Sequence, residues 1–292
     1  MLTTTDIQKA LAAGGNLGSA YRLVLPRDSM RGTTGGRLGM SAGSSLDFHD
    51  YREYHPGDDL RHLDWGVYAR SDREVVKLYR EEVEPKLDIV LDSSASMCLS
   101  GTRKGEAALM LAAVTATAAL NANCIPALFL AGARTERVQG EQDNSPLGWR
   151  IAGFGESSSP YDGLTIAAPT FRRNGVRVFI SDLLWPGEPA RALARLAEGA
   201  SALYIIQLLA EAEETPPERG RYRLDDVETG ETLEVFVDST AIEAYTATLA
   251  AHRERWSRAC ASSGATFITV RDTDISNASR LAALERAGLL CG

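Results

Sequence analysis

The sequence predicts an α/β protein with a mostly parallel sheet flanked by helices, and three observations lead to this fold class. From Pro85 onward, short apolar segments alternate with longer helical ones. The short segments are apolar on both faces, as strands covered by two helix layers are. The first 84 residues lack this alternation. We therefore expect a small N-terminal extension, β-rich or mixed, over residues 1–84 and a main domain over residues 85–292.

Within the extension, a short helix is predicted near residues 6–13, before a glycine- and serine-rich passage at residues 32–45. Residues 50–82 then carry charges of both signs among the aromatic residues Tyr51, Tyr54, Trp65 and Tyr68. These rings favour a packed sub-domain over an idle charged surface, and direct partner binding is the other interpretation.

Two elements are predicted inside this polar segment. Asp58 follows a Pro-Gly turn and is placed to cap a helix in which Leu60, Leu63 and Val67 share one face. Residues 75–83 are predicted to be extended.

In the main domain, five strands are predicted at residues 87–91, 125–131, 176–181, 202–208 and 266–270. Helices are predicted at residues 104–121, 188–198, 242–262 and 278–287. The third helix repeats apolar residues at spacings of three and four, which predicts one buried stripe of Ile242, Tyr245, Leu249, His252, Trp256 and Ala259. We expect His252 to be a hydrogen-bonded histidine at the boundary of the core.

A β-hairpin inserted before the third helix is predicted at about residues 221–237, with Gly230 in its turn and a mainly structural role.

The composition argues against some classes of binding partner and favours one cellular compartment. The net charge of −8 argues against a general nucleic-acid binder, because neutralising phosphates needs a basic surface. The four cysteines lie far apart and form no metal-binding or disulfide framework, which favours reduced thiols in the cytoplasm. The most apolar window, residues 107–120, is shorter than a membrane span and contains two threonines. We expect a soluble cytoplasmic protein that binds neither nucleic acid nor membrane.

The candidate site follows the first strand, in the segment LDIVLDSSASM of residues 87–97. Asp92 stands at the carboxyl end of this strand, where open parallel sheets bind ligands. Together with Ser94 and Ser96 it offers one carboxylate and two hydroxyls, oxygen ligands that suit Mg²⁺. The strand VRVFIS ends in the same way, at Asp182. If the two strands are neighbours, both carboxylates converge on one site.

These residues resemble a von Willebrand factor A domain with its metal-ion-dependent adhesion site. The segments DYREYHPGDDLRHLDW and ARSDREVVKLYREE before the metal loop, and ISDLL after it, resemble more closely the bacterial domain-of-unknown-function-58 family, which is associated with MoxR-type AAA+ ATPases. The resemblance covers about residues 45–270. It implies a Rossmann-like A domain that binds a partner through a divalent cation, with an acidic side chain of the partner as the last ligand.

The resemblance also implies the ligands. Asp92, Ser94 and Ser96 match the family's first loop and Asp182 its third, around Mg²⁺ or else Mn²⁺ or Ca²⁺. The family's second loop usually brings a threonine, whereas the segment GESSSPYDGL has none. Ser159 or Ser158 is then the candidate hydroxyl. The expected function is a non-enzymatic protein-binding module, an adaptor or co-chaperone working with a MoxR-type AAA+ ATPase.

Three alternatives compete with this interpretation. Asp92 and the serines can simply cap the turn that follows the strand. Asp92 can also be the nucleophile of a Mg²⁺-dependent aspartyl-phosphate-type hydrolase, but such enzymes need a second carboxylate where this chain has Ser94. The segment GMSAG around Ser41 matches a nucleophile elbow, yet no buried strand precedes it.

Overall fold

The structure is a computed structural model and describes residues 2–26, 46–81, 84–140, 144–167, 169–276 and 281–292. The chain forms two compact units, Met1–Pro26 with Pro85–Gly292 and, separately, Arg27–Glu84. The predicted boundary at residue 85 coincides with one edge of the second unit. The extension predicted over residues 1–84 is wrong in its first part, because Met1–Pro26 belongs to the main unit.

The elements are as follows in chain order. The strands are β1 (Arg22–Leu23), β2 (Leu46–Glu53), β3 (Val75–Glu81), β4 (Lys86–Asp92), β5 (Ile125–Ala131), β6 (Thr135–Arg137), β7 (Gly175–Ser181), β8 (Ala200–Leu209), β9 (Gly220–Asp225), β10 (Thr232–Val237), β11 (Thr266–Arg271) and β12 (Leu290–Cys291). The helices are α1 (Thr4–Gly18), α2 (Trp65–Ser71), α3 (Lys104–Asn121), α4 (Pro160–Thr165), α5 (Pro189–Ala197), α6 (Glu211–Glu214), α7 (Ser239–Ser263), α8 (Asp272–Ser276) and α9 (Ala282–Arg286).

The main unit is built on a six-stranded, mostly parallel sheet flanked by helices. Its strand order is β11-β8-β7-β4-β5-β6, and only the edge strand β6 is antiparallel to its neighbour. From β4 the chain adds β5 and β6 on one side and then β7, β8 and β11 on the other. The carboxyl end of β4 is therefore the switch point of the sheet. The predicted neighbourhood of β4 and β7 is confirmed, with Leu91 paired to Ile180.

Both faces of the sheet are buried, as the apolar strands predict. Leu87, Ile89 and Leu91 of β4 join a core with α1 and α3. Val90, from the opposite face of the same strand, joins a second core to which α5 and α7 contribute, including Trp256. The five predicted strands and the helix at residues 104–121 are thus confirmed in place.

Helix α1 joins the main unit by a close approach to α3. Thr3 and Asp6 form a capping box that starts the helix, in which Thr3 Oγ1 accepts from Asp6 N at 3.2 Å. A Cβ atom at Gly14 would lie 2.4 Å from the carbonyl oxygen of Met110, and one at Gly18 would lie 2.9 Å from that of Val114. Glycine at these positions lets the two backbones meet, which explains a helix longer than the predicted 6–13.

Helix α7 departs from its predicted stripe. Trp256 and Cys260 are buried, but Tyr245 is exposed, and its hydroxyl donates to the carbonyl of Glu213 at 2.5 Å. A helix of 25 residues is about 37 Å long, whereas the six-residue strand β11 that follows it spans about 20 Å, so this strand cannot cover the whole helix. His252 is confirmed as a hydrogen-bonded boundary residue, since its Nε2 contacts the Leu183 carbonyl oxygen at 2.8 Å.

In the second unit, β2 and β3 form an antiparallel pair. The single helix predicted from Asp58 is wrong. Asp59 caps a 3-10 turn at Leu60–His62, and Asp64 caps α2 separately through Gly66 N and Val67 N. Leu63 between the two caps instead forms a bridge with β3, and Asp58 pairs with Arg52 at 2.6 Å.

Several expectations lie outside the described residues: the passage at residues 32–45 with Ser41, the end of the extended segment at 82–83, and the start of the last helix at 278–280. The described start of that helix is Ala282. The predicted hairpin is confirmed as β9 and β10. Over the part of the chain that the structure describes, none of the helices has the length and apolar character of a membrane span.

The glycine contact between α1 and α3 gives a first prediction. Gly14→Ala should lower the free energy of unfolding by about 1–3 kcal/mol, because its methyl group overlaps the Met110 carbonyl. Gly15→Ala is the matched control, since its nearest neighbour is Thr117 Oγ1 at 3.8 Å, and it should be neutral or stabilising by up to about 1 kcal/mol. Urea unfolding measures both. Equal effects of the two substitutions would contradict the packing described.

Candidate functional site

The candidate site is centred on the carboxylate of Asp92 at the end of β4, which is fully buried. Its Oδ1 accepts hydrogen bonds from Ser94 N at 2.9 Å and Ser94 Oγ at 2.6 Å. Its Oδ2 accepts from Ser181 Oγ at 2.6 Å. Three donors from the ends of two neighbouring strands therefore fix the orientation of this carboxylate.

The hydroxyls of Ser94 and Ser96 lie side by side, with their Oγ atoms 3.1 Å apart. Mg²⁺ holds oxygen ligands at about 2.1 Å in an octahedron, so adjacent ligands are about 3.0 Å apart. Because the Ser94 hydroxyl can give its proton to Asp92, its lone pairs remain available to an ion. A carboxylate and two hydroxyls at this spacing fit a hard divalent cation.

Burial, and after it the negative charge of Asp182, raise the pKa of the Asp92 carboxyl to about 7, against hydrogen bonds from Ser181 and Ser94 that lower it. The charged form of this group is thus incompletely compensated by the protein. A positive charge beside it would favour ionisation.

Asp182 makes different contacts from those expected of a ligand shared with Asp92. Its Oδ2 lies 2.7 Å from Nζ of Lys104, and its Oδ1 accepts from Leu184 N at 2.9 Å. Lys104 is fully buried and also contacts Oε1 of Glu213 at 2.7 Å. Lys104 therefore neutralises the charge of Asp182, and both carboxylate oxygens of Asp182 already have a partner, one in Lys104 and one in Leu184 N.

The pKa values of Lys104 and Glu213 reflect the charges that surround each of them. Burial alone would lower the pKa of Lys104, yet the charges of Asp182 and Glu213 raise it above its ordinary value. Burial raises the pKa of Glu213, and Lys104 opposes this. The three side chains form a charge cluster at the carboxyl ends of β7 and β8.

The second loop, residues 153–159, lies against the first. Gly155 N donates to the Ser93 carbonyl at 2.9 Å, and Glu156 forms a bridge with Ser94. Ser159 occupies the N-cap position of α4, ahead of Pro160, without a side-chain capping bond. The hydroxyl of Ser158 donates to the Glu156 carbonyl at 3.4 Å. The site hydroxyl predicted for Ser159 or Ser158 therefore stays a prediction.

The turn of the β9–β10 hairpin reaches the same place. Glu228 Oε1 accepts from Ser96 N at 2.8 Å, and its Oε2 accepts from Ser158 N at 3.2 Å. Ser157 Oγ donates to the Glu228 carbonyl, and Asp226 Oδ1 accepts from Glu228 N at 2.8 Å within the turn. One carboxylate thus bridges backbone amides of the first and second loops.

Three of these residues escape sequence reasoning. Ser181 precedes Asp182 in the segment ISD. Because successive side chains of a strand point to opposite faces, the position of Ser181 in β7 is a signal that could have placed it beside Asp92. Lys104 starts a mostly apolar helix, and the N-terminus of a helix is an unusual place for a buried lysine. Glu228 is 132 residues from its partner Ser96 in sequence, and no local sequence pattern predicts that contact.

The profile of a family described as "Protein of unknown function DUF58" matches residues 50–255. A protein from Mycobacterium tuberculosis and one from Mycobacterium bovis, both described as uncharacterized, are each 30% identical over 271 residues, covering 88% of this chain and 85% of the relative. The family match contains all the predicted ligands and Glu228.

Solved structures are similar at a lower level. The conserved hypothetical protein BatB from Bacteroides thetaiotaomicron matches with a TM-score of 0.35 and 11% identity, covering 70% of this chain and 96% of that one. An aerotolerance-related membrane protein from Bacteroides fragilis, with multiple mutations to serines, matches with a TM-score of 0.35 and 14% identity, covering 66% and 97%.

The buried lysine gives a second prediction. Lys104→Met should lower the free energy of unfolding by about 3–5 kcal/mol, because it leaves the buried Asp182 and the partly buried Glu213 without their cation. Arg103→Met is the matched control, since the neighbouring Arg103 pairs with Glu106 at the surface, and its effect should stay below about 1 kcal/mol. Chemical denaturation measures both, and a Lys104→Met protein as stable as the wild type would contradict the cluster.

Proposed function

Because this chain belongs to the family described as protein of unknown function DUF58, we propose that it is a non-enzymatic protein-binding module with a divalent cation at the carboxyl end of β4. The observation that carries the proposal is the group of Asp92, Ser94 and Ser96 at the switch point of the sheet. The proposed fold type is the von Willebrand factor A-like, Rossmann-like arrangement that the sequence resembles.

The proposed ion is Mg²⁺, with Mn²⁺ or Ca²⁺ as substitutes, because all the donors are oxygens. The hydroxyls of Ser94 and Ser96 would hold it, and Asp92 would orient them and supply the negative charge. The lysine contact of Asp182 supports a role through charge or through water rather than by direct ligation. The second loop would add a hydroxyl, from Ser159 or Ser158. When bound, the ion offers a coordination position to an acid from outside.

The proposed partner is a protein that donates an acidic side chain, and the family resemblance favours a MoxR-type AAA+ ATPase. In that setting the chain would act as an adaptor or co-chaperone. The described cysteines Cys98, Cys124, Cys260 and Cys291 are free thiols, the state that a reducing compartment maintains, so the proposed location is the cytoplasm.

The buried state of Asp92 supports binding over catalysis. A nucleophilic carboxylate must present an oxygen to its substrate, whereas both oxygens of Asp92 accept hydrogen bonds from Ser94 and Ser181. The residue two positions later is Ser94, which lacks the proton-transfer ability of a second carboxylate. These features disfavour the aspartyl-phosphate hydrolase as the function of this site.

Calorimetric titration with Mn²⁺ tests the proposed cation site. The wild type should bind, and Asp92→Asn, which keeps the shape of the side chain but loses its charge, should abolish binding. Ser96→Ala should weaken binding by at least about tenfold, because it removes a ligand. Ser100→Ala, four residues further on and exposed, is the matched control and should bind as the wild type does. Absence of binding by the wild type at millimolar Mn²⁺ would contradict the proposal.

The raised pKa of Asp92 predicts how this affinity depends on pH. Below about pH 7 the buried carboxyl carries a proton that the cation must displace. Mn²⁺ affinity should therefore increase from pH 6 to pH 7, by up to about tenfold per pH unit, and level off above the pKa. Titrations at a series of pH values measure this. An affinity that is constant from pH 6 to pH 8 would show that the charge of Asp92 does not contribute to ion binding.

A further inference from the structure

The proposed site already contains a carboxylate, that of Glu228 from the hairpin turn. It accepts from Ser96 N and Ser158 N, which belong to the two loops that face the proposed ion. We propose that Glu228 occupies the position of the partner's acid, and that the partner is an acidic protein segment which displaces Glu228 and continues into an adjacent arginine-lined cleft. This inference rests on the proposed function, because it concerns the ligand of the same site.

The contacts of Glu228 show what the loops accept. Two backbone N–H groups, 62 residues apart in sequence, converge on the two oxygens of one carboxylate. Such charge-assisted bonds are stronger than neutral ones and are directional. The loops therefore form a seat for a carboxylate, and an acid from another protein finds the same two donors there.

The hairpin is built so that its turn can leave this seat. Strands β9 and β10 form a two-stranded sheet of their own, which is marginally stable in isolation. Leu224, Leu233 and Phe236 are 48%, 62% and 66% exposed, so little apolar burial holds the hairpin down. Hydrogen bonds of Glu228 and Ser157 are the described contacts that tie its turn to the loops.

A cleft of about 490 Å³ begins at the same loops. Ser93, Glu156 and Ser158 line it on the side of the site. Arg134, Arg137 and Arg150 also line it, all three exposed, and they outnumber the lining acids Glu136 and Glu156. Arginine guanidinium groups bind carboxylates through two parallel hydrogen bonds. The carboxylate seat and the cleft together fit a protein segment that has one acid in the place of Glu228 and further acids beside these arginines.

The inference makes Glu228 a competitor of the ligand. The apparent affinity for an outside acid is reduced by the fraction of molecules in which the seat is free. If Glu228 occupies the seat about 90% of the time, its removal tightens binding about tenfold. The hairpin then sets the affinity of the site without contacting the partner.

The experiment measures the fluorescence anisotropy of a labelled hexaglutamate peptide with the full chain in millimolar Mg²⁺. Glu228→Gln should bind the peptide about tenfold more tightly than the wild type. Glu231→Gln is the matched control, because it removes the same charge from the same turn, and it should bind as the wild type does. Thermal melting verifies that each variant is folded.

The cleft is tested in the Glu228→Gln background. Arg137→Glu and Arg150→Glu should each weaken peptide binding about tenfold, whereas Arg173→Glu should not. Arg173 is exposed and precedes the amino end of β7, whereas the site lies at the carboxyl ends of the strands. Equal peptide affinity of the wild type and Glu228→Gln would overturn the inference, as would binding of a thymidine oligonucleotide in place of the peptide.

A parallel Mn²⁺ titration distinguishes this inference from the proposed function. If Mn²⁺ binds in an Asp92-dependent manner but Glu228→Gln leaves peptide affinity unchanged, the inference is wrong and the cation site stands. If Mn²⁺ does not bind but Glu228→Gln still tightens peptide binding, the carboxylate seat stands and the cation site is wrong. Complete loss of Mn²⁺ binding in Glu228→Gln would make Glu228 an obligatory ligand of the ion and overturn its role as a displaceable competitor.

Discussion

The buried charge of Asp92 is the constraint on which the rest of the site depends. A carboxylate without water must be compensated by donors or by positive charge. The protein supplies Ser94 N, Ser94 Oγ and Ser181 Oγ, which orient the group but leave its pKa raised to about 7 by burial and by the charge of Asp182. A cation placed beside this carboxylate would remove the remaining cost, which is the physical basis of the proposed cation site.

The two carboxylates at the ends of β4 and β7 differ in this respect. Asp182 has its own cation in Lys104, which Glu213 also contacts, whereas Asp92 is held by neutral donors. The lysine holds Asp182 in an internal ion pair, so Asp92 is the one of these two carboxylates whose described contacts do not neutralise its charge. Glu228 brings a further carboxylate to this region. It accepts hydrogen bonds from backbone amides of both loops and so connects the hairpin turn to the site.

Burial patterns predict the parts of this protein that are set locally. Strand β5 has the predicted bounds because its apolar run is continuous, helix α3 because it is rich in apolar and small residues, and Asp92 stands where the apolar run of β4 ends. The parts that depend on tertiary distance escape prediction. Lys104 and Asp182 are 78 residues apart in sequence, and Ser96 and Glu228 are 132 apart. Neither contact leaves a periodic pattern in the local sequence that could predict it. Helix α1 is similar, since Gly14 packs against Met110 in a way that its own segment does not reveal.

Anomalous diffraction from a crystal of the protein soaked in Mn²⁺ tests the central claim most directly, because it locates the ion. The account predicts one strong peak at about 2 Å from both Ser94 Oγ and Ser96 Oγ, and no such peak in crystals of Asp92→Asn. Peaks confined to exposed carboxylates elsewhere, with none between the two serines, would contradict it.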